Sequence, residues 1–118
     1  MRYLCLIYED EKWWETATPA DMKKGTADYN AFTDSIKKKG NYIGGEALQP
    51  TKTATSVTVR NGKVSTTDGP YVETKEQLGG YYLINAKDLN EAVQVASRIP
   101  GALHGTVEVR PVMEFDQP

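Results

Sequence analysis

The chain carries one histidine and one cysteine among 118 residues, and that scarcity removes several kinds of chemistry at once. A lone cysteine, Cys5, closes no intrachain disulfide. It stands inside an apolar run, so it reads as a small buried hydrophobe with an inert thiol rather than a nucleophile. With His104 and Cys5 in separate elements, a metal would have to be held mostly by carboxylates, and no metal site is expected. Neither GxxxxGK[ST] nor GxGxxG occurs, so no phosphate loop and no cofactor are expected. An excess of cations is also missing: 14 Lys and Arg against 16 Asp and Glu give a net charge of −2, which argues against nucleic acid. The one basic run, Lys37-Lys38-Lys39, falls at an expected helix end, where cations complement the macrodipole. No apolar run approaches the ~20 residues needed to cross a bilayer. The first apolar run is too short for a signal peptide and lacks a small-residue cleavage site. These absences point to a cytoplasmic protein with no membrane attachment, built as one domain over residues 1–118.

What is present is punctuation. Arg2 to Tyr8 alternates as a strand that is apolar on both faces, Leu4, Leu6 and Tyr8 against Tyr3, Cys5 and Ile7, and therefore covered twice. Glu9 to Thr18 reads as an acidic loop whose Trp13 and Trp14 divide, one sealing the core and the other facing a groove or partner. Thr18 then caps a helix with Pro19 in its first turn and Asp21 against the dipole. Met22, Gly25, Tyr29, Phe32 and Ile36 supply its apolar stripe, and Gly40 ends it.

Asn41 to Leu48 predicts a second strand, bent at Gly44-Gly45. Thr55 to Arg60 and Lys63 to Thr67 flank Asn61-Gly62, a strong hairpin signal that sets Val59 opposite Val64 and Arg60 opposite Lys63. Its Thr and Ser content marks an extension at a sheet edge. Gly79 to Asn85 forms the next strand, with Tyr81 and Leu83 on one face and Tyr82 and Ile84 on the other. Asp88 caps a second helix, Glu91 completing a capping box, and Leu89, Ala92, Val93, Ala96 and Ile99 form its apolar side up to Pro100-Gly101. Gly105 to Phe115 is a final strand, with Val107, Val109, Pro111, Met113 and Phe115 on one face and Glu108, Arg110, Val112 and Glu114 on the other.

This order is an α+β, ferredoxin-like βαββαβ unit with an inserted edge hairpin: an antiparallel sheet with two helices on one face. One chain would leave the second sheet face wet. A homodimer that closes two sheets around a partly polar cavity is therefore expected.

The candidate chemistry gathers around Asp68-Gly69-Pro70-Tyr71-Val72-Glu73-Thr74-Lys75-Glu76-Gln77-Leu78-Gly79-Gly80. Its opening is a turn on physical grounds alone, through Asp, Gly and Pro backbone preferences; placed at a cavity mouth, Asp68 becomes a ligand carboxylate. Lys75 either holds Glu73 ionised or binds an anionic ligand, against a solvated loop of weak ion pairs. Glu108 and Arg110 share one strand face, either as an interface ion pair or as a base beside a carboxylate anchor. His104 is the natural acid–base group if it reaches the cavity, and otherwise an exposed loop residue. Candidate catalytic residues are thus His104, Glu73 and Glu108, and candidate ligand-binding residues are Asp68, Lys75, Tyr81, Tyr82 and Arg110.

DGPYVETKEQLGGYYLI resembles the DGPFAETKE signature of the YCII-related family, with Tyr71 for Phe and Val72 for Ala. The resemblance continues through GGEALQP (Gly44 to Pro50), TVRNGKV (Thr58 to Val64) and VEVRPVMEF (Val107 to Phe115), so it spans nearly the whole chain. It implies a ferredoxin-like fold that dimerises as an α+β barrel. Some relatives are encoded beside, or fused to, sigma factors, which implies a link to transcription. The YCII branch is ascribed a His–Asp pair in its cleft, and no pair in this sequence is assigned to it. Two functions follow. The dimer cavity binds a small molecule, or the dimer serves as a regulatory module with a protein partner. The alternative is a cofactor-free acid–base enzyme, an isomerase or lyase acting on a small anionic or cyclic metabolite.

Overall fold

The computed structural model describes residues 1–115. Strand β1 (Arg2–Glu9) occupies an interior position in the sheet because both its faces are apolar. An additional helix, α1 (Glu11–Glu15), follows it, then α2 (Pro19–Lys38) and β2 (Tyr42–Ala47). The hairpin strands are β3 (Thr55–Arg60) and β4 (Lys63–Asp68). Then come β5 (Gln77–Asn85), α3 (Leu89–Ala96) and β6 (Thr106–Pro111). The main sheet is antiparallel in the order β2-β5-β1-β6. The architecture is α+β and consistent with a ferredoxin-like fold.

Tyr3, Cys5 and Ile7 lie buried under the helices with Phe32, Ile36, Tyr82, Ile84, Ala92, Val95 and Ile99. Helix α2 begins with a full capping box: the Asp21 amide donates to Thr18 Oγ1 at 3.1 Å and the Thr18 amide donates to Asp21 Oδ2 at 3.0 Å. Gly40, at φ +81°, stops it as expected. Gly44-Gly45 does bend β2, with a register shift between Tyr42 and Gly44.

Several expectations need correction. Glu9 to Thr18 is not all loop, because Asp10 accepts a hydrogen bond from the Lys12 amide and starts the five-residue helix α1, too short for periodicity to reveal. Glu91 does not close a capping box on Asp88; its carboxylate accepts instead from the Asn41 side chain at 3.1 Å. The buried side of α3 is Ala92, Val95 and Ala96, while Leu89 and Val93 face outward. The last strand ends at Pro111, and Met113 and Phe115 are exposed rather than buried with Val107 and Val109.

The hairpin has the expected register, Val59 opposite Val64 and Arg60 opposite Lys63. Its turn uses left-handed backbone at Asn61 (φ 52°) and Gly62 (φ 76°), the dihedral signs of a tight hairpin turn that matches strand twist. It is not an edge extension, however. Among the described residues β3 and β4 pair only with each other, as a separate two-stranded sheet. The segments on either side, 48–54 and 69–76, join it to β2 and β5. The molecule is consequently a plate of 51 × 47 × 18 Å with a radius of gyration of 16.4 Å, whereas a compact chain of this length would have about 13–14 Å. Eighteen ångströms hold one helix layer and one sheet, so Leu4, Leu6, Tyr8, Tyr81 and Leu83 stay half-buried on a face that no helix covers among the described residues.

Candidate functional site

The open sheet face is organised by cross-strand pairs. Leu4 lies between Leu83 and Arg110, Leu6 between Tyr81 and Glu108, and Tyr8 between Leu78 and Thr106. At the Tyr8 end, residues of β1, β6 and the central loop line an open cavity of about 450 Å³: Tyr8, Thr74, Lys75, Glu76, Thr106 and Glu108. Local bonds fix this loop. Thr106 Oγ1 donates to Glu76 Oε1 at 2.9 Å, and Thr74 Oγ1 donates to the Glu76 carbonyl. Gln77 anchors the other side: its Nε2 donates to the Thr74 carbonyl, and its Oε1 accepts from the Glu11 amide at 2.9 Å.

Of the residues nominated from sequence, Lys75 and Glu108 therefore meet at one cavity. Arg110 Nε stands 3.6 Å from Glu108 Oε2 on the same strand face, both side chains solvated. Tyr81 is on the open face, in the row of Leu6 and Glu108. Tyr82 is on the other face, inside the core, where it packs edge-on against Phe32 and shares a 2.7 Å hydrogen bond with Thr33. Burial there raises its phenol above the ordinary range. Asp68 ends β4 opposite Thr55, and Glu73 stands exposed in the loop. His104 is exposed too, its ring stacked on Trp13 with centroids 4.7 Å apart.

Tyr8, Thr74, Glu76 and Thr106 complete the cavity without having been nominated. Alternation along the strands places Tyr8 with Leu4 and Leu6, and Thr106 with Glu108. The signal that was missing is the pairing of Tyr8 with Thr106, which joins the two ends of the chain.

Neither tryptophan joins the buried core. Trp14 turns inward, its indole Nε1 donating to Glu9 Oε2 at 2.7 Å, while Trp13 stays more exposed against His104. Glu9 is itself buried, and its second oxygen accepts from the Tyr29 hydroxyl at 3.4 Å. Tyr29 accepts in turn from the Gly101 amide at 3.1 Å. Burial, reinforced by the Glu9 charge, raises the Tyr29 phenol well above its ordinary range. A second cavity, of about 300 Å³, lies in the helix layer between Lys39, Asn41, Glu91 and Arg98. Among the described residues no three His, Cys, Asp or Glu side chains are grouped to hold a metal ion. No helix among them is long and apolar enough to cross a membrane.

An antiparallel sheet with helices on one face, and no helix over the other among the described residues, defines an α+β domain. Sequence comparison makes the class specific: the YCII-related domain family matches residues 1–116, and the chain belongs to it. It is also 32% identical over 114 residues to the uncharacterised protein R00369 of Rhizobium meliloti (strain 1021), covering 95% of this chain and 92% of that one.

Proposed function

We propose that the chain forms a homodimer through its open sheet faces, as an α+β barrel, and binds a small polar metabolite in the Lys75–Glu108 cavity. The observation that carries this reading is the convergence of the central loop with β1 and β6 on one cavity with mixed polar lining. Lys75 offers a cation to a carboxylate or other anionic group. Glu108 offers an acceptor to an amine or hydroxyl, and Tyr8 supplies an aromatic wall with a polar tip. Glu76 is held by Thr106 and shapes the wall. The ligand class that matches is a small hydroxylated or zwitterionic acid. Closing a second sheet over the face excludes water and strengthens these contacts.

The test is calorimetric titration of the protein with amino acids, hydroxy acids and their uncharged amides. Binding of an acid but not its amide, weakened about tenfold or more in Lys75→Met, is the expected result. An affinity that Lys75→Met and Glu108→Gln both leave unchanged would remove the cavity as the site.

A further inference from the structure

We infer that the β3–β4 hairpin is an exchanged arm, laying its valine face on a second copy of this chain. The inference rests on the homodimer proposed above and adds to it a surface outside the sheet. The arm is amphipathic in the opposite sense from what one chain alone would need. Ser56 and Thr58, on the hydroxyl face, are half-buried, and Ser56 Oγ donates to the Gly69 carbonyl at 2.9 Å. Val57, Val59 and Val64 share the other face and are 60, 55 and 69% exposed. A two-stranded hairpin standing alone is at best marginally stable in water and needs a third strand or a packed face. Among the described residues nothing covers this one.

The area required points to the same chain as the occupant. Four strands spaced at about 4.8 Å and paired over about six residues give the open sheet a footprint of roughly 400 Å². A stable specific interface takes roughly 800 Å² from each partner, so the sheet face alone falls well short. The arm is six residues long in each strand, and presents a further ~200 Å². In a two-fold dimer each subunit both gives an arm and receives one, which supplies the missing area. Continuity supports this placement: the loop leaving the arm bears exposed Tyr71 and Val72 and runs directly into the Thr74–Glu76 wall of the cavity. A partner seated along the arm thereby also covers the mouth of that cavity.

Sedimentation equilibrium on the full chain separates the alternatives. In Val57→Thr/Val59→Thr/Val64→Thr, which keeps strand-favouring residues, the dimer dissociation constant is expected to rise at least about tenfold, with circular dichroism unchanged. A wild-type dimer whose constant moves less than about twofold in this variant, but collapses in Leu83→Glu, overturns the arm and leaves the sheet interface standing. A wild-type monomer at every concentration overturns both, as does an arm that proves to be covered only by a different protein. Should the triple variant lose its fold, hydrogen exchange on the wild type decides the matter. Amides of 55–60 and 63–68 should lose protection on dilution below the dimer constant, and protection independent of concentration refutes the arm.

Discussion

The Glu11 carboxylate accepts two hydrogen bonds from Thr51, from its amide at 2.8 Å and its hydroxyl at 3.0 Å. The Glu11 amide meanwhile donates to Gln77. One residue of a five-residue helix thus holds the segment entering the hairpin and the strand leaving it. Helix α1 acts as a bracket at the root of the arm, and Gln77 extends its hold to the cavity loop.

Glu11→Ala should therefore loosen the arm without unfolding the domain. Two bonds to a partly buried charged acceptor amount to about 1–3 kcal/mol of local stability. Amide exchange at 51–54 and 69–77 is expected to accelerate about tenfold or more at that cost, with exchange in β1 and α2 unchanged. Acceleration spread evenly over the chain would mean that Glu11 supports the whole fold instead.

Alkaline pH should weaken the fold, and Cys5 should be the first cause. Burial raises its thiol from 9.0 to about 11; Tyr29 and Tyr82 are raised for the same reason. The folded chain holds these protons where the unfolded chain releases them. Their contribution is complete below about pH 9, declines as pH climbs toward 11 for the thiol, and continues to fall above about 10 as the tyrosines follow. Urea midpoints across this range should drop in the wild type and drop less steeply between about pH 9 and 10 in Cys5→Ala. The native thiol should also resist a disulfide reagent that labels it at once in urea. Equal pH slopes in the two proteins would count against a buried thiol.

His104 offers a direct check on the cavity. Its ring lies on Trp13, whereas the cavity is lined from Tyr8, the central loop and β6. His104→Gln should leave the affinity of any cavity ligand within about twofold while changing the fluorescence of Trp13, on which its ring is stacked. A tenfold loss of ligand affinity would instead draw the Trp13–His104 stack into the site.

Much of this arrangement could be read from residue order, and the parts that could not share a physical cause. Thr18 with Asp21, Asn61-Gly62 and Gly40 act within a few residues, so the α2 start, the hairpin register and the helix stop were legible. The expected apolar face of α3 held at Ala92, Ala96 and Ile99 and failed at Leu89 and Val93, because these two and Val95 are equally apolar and only packing decides that Val95 goes inward. The cavity was half legible: Lys75 and Glu108 announce themselves by charge. Tyr8 and Thr106 join them through a pairing across nearly the whole chain, which no local pattern encodes. Glu91 shows the same limit in miniature, since a distant Asn41 draws its carboxylate away from the local cap.

The Glu9 cluster yields the strongest stability prediction. A buried carboxylate here has the Trp14 indole and the Tyr29 hydroxyl as its donors, and Gly101 closes over it. A Cβ at Gly101 would lie 2.4 Å from Glu9 Oε1, 2.7 Å from the Tyr29 hydroxyl and 2.8 Å from Ile7 Cγ2. Overpacking of this kind costs about 1–3 kcal/mol, so Gly101→Ala should lower the urea midpoint measurably. Glu9→Ala should cost a similar amount, about 1–3 kcal/mol, by leaving two partly buried donors without their acceptor. Glu9→Gln keeps the shape and removes the charge that helps raise Tyr29. In that variant the Tyr29 phenolate, followed by ultraviolet absorbance, should appear at lower pH than in the wild type. If the double variant Gly101→Ala/Glu9→Ala is as unstable as the sum of its parts, the two residues do not share one site. Because the clash is with Glu9 itself, truncating Glu9 should relieve part of it, and a loss smaller than the sum is expected.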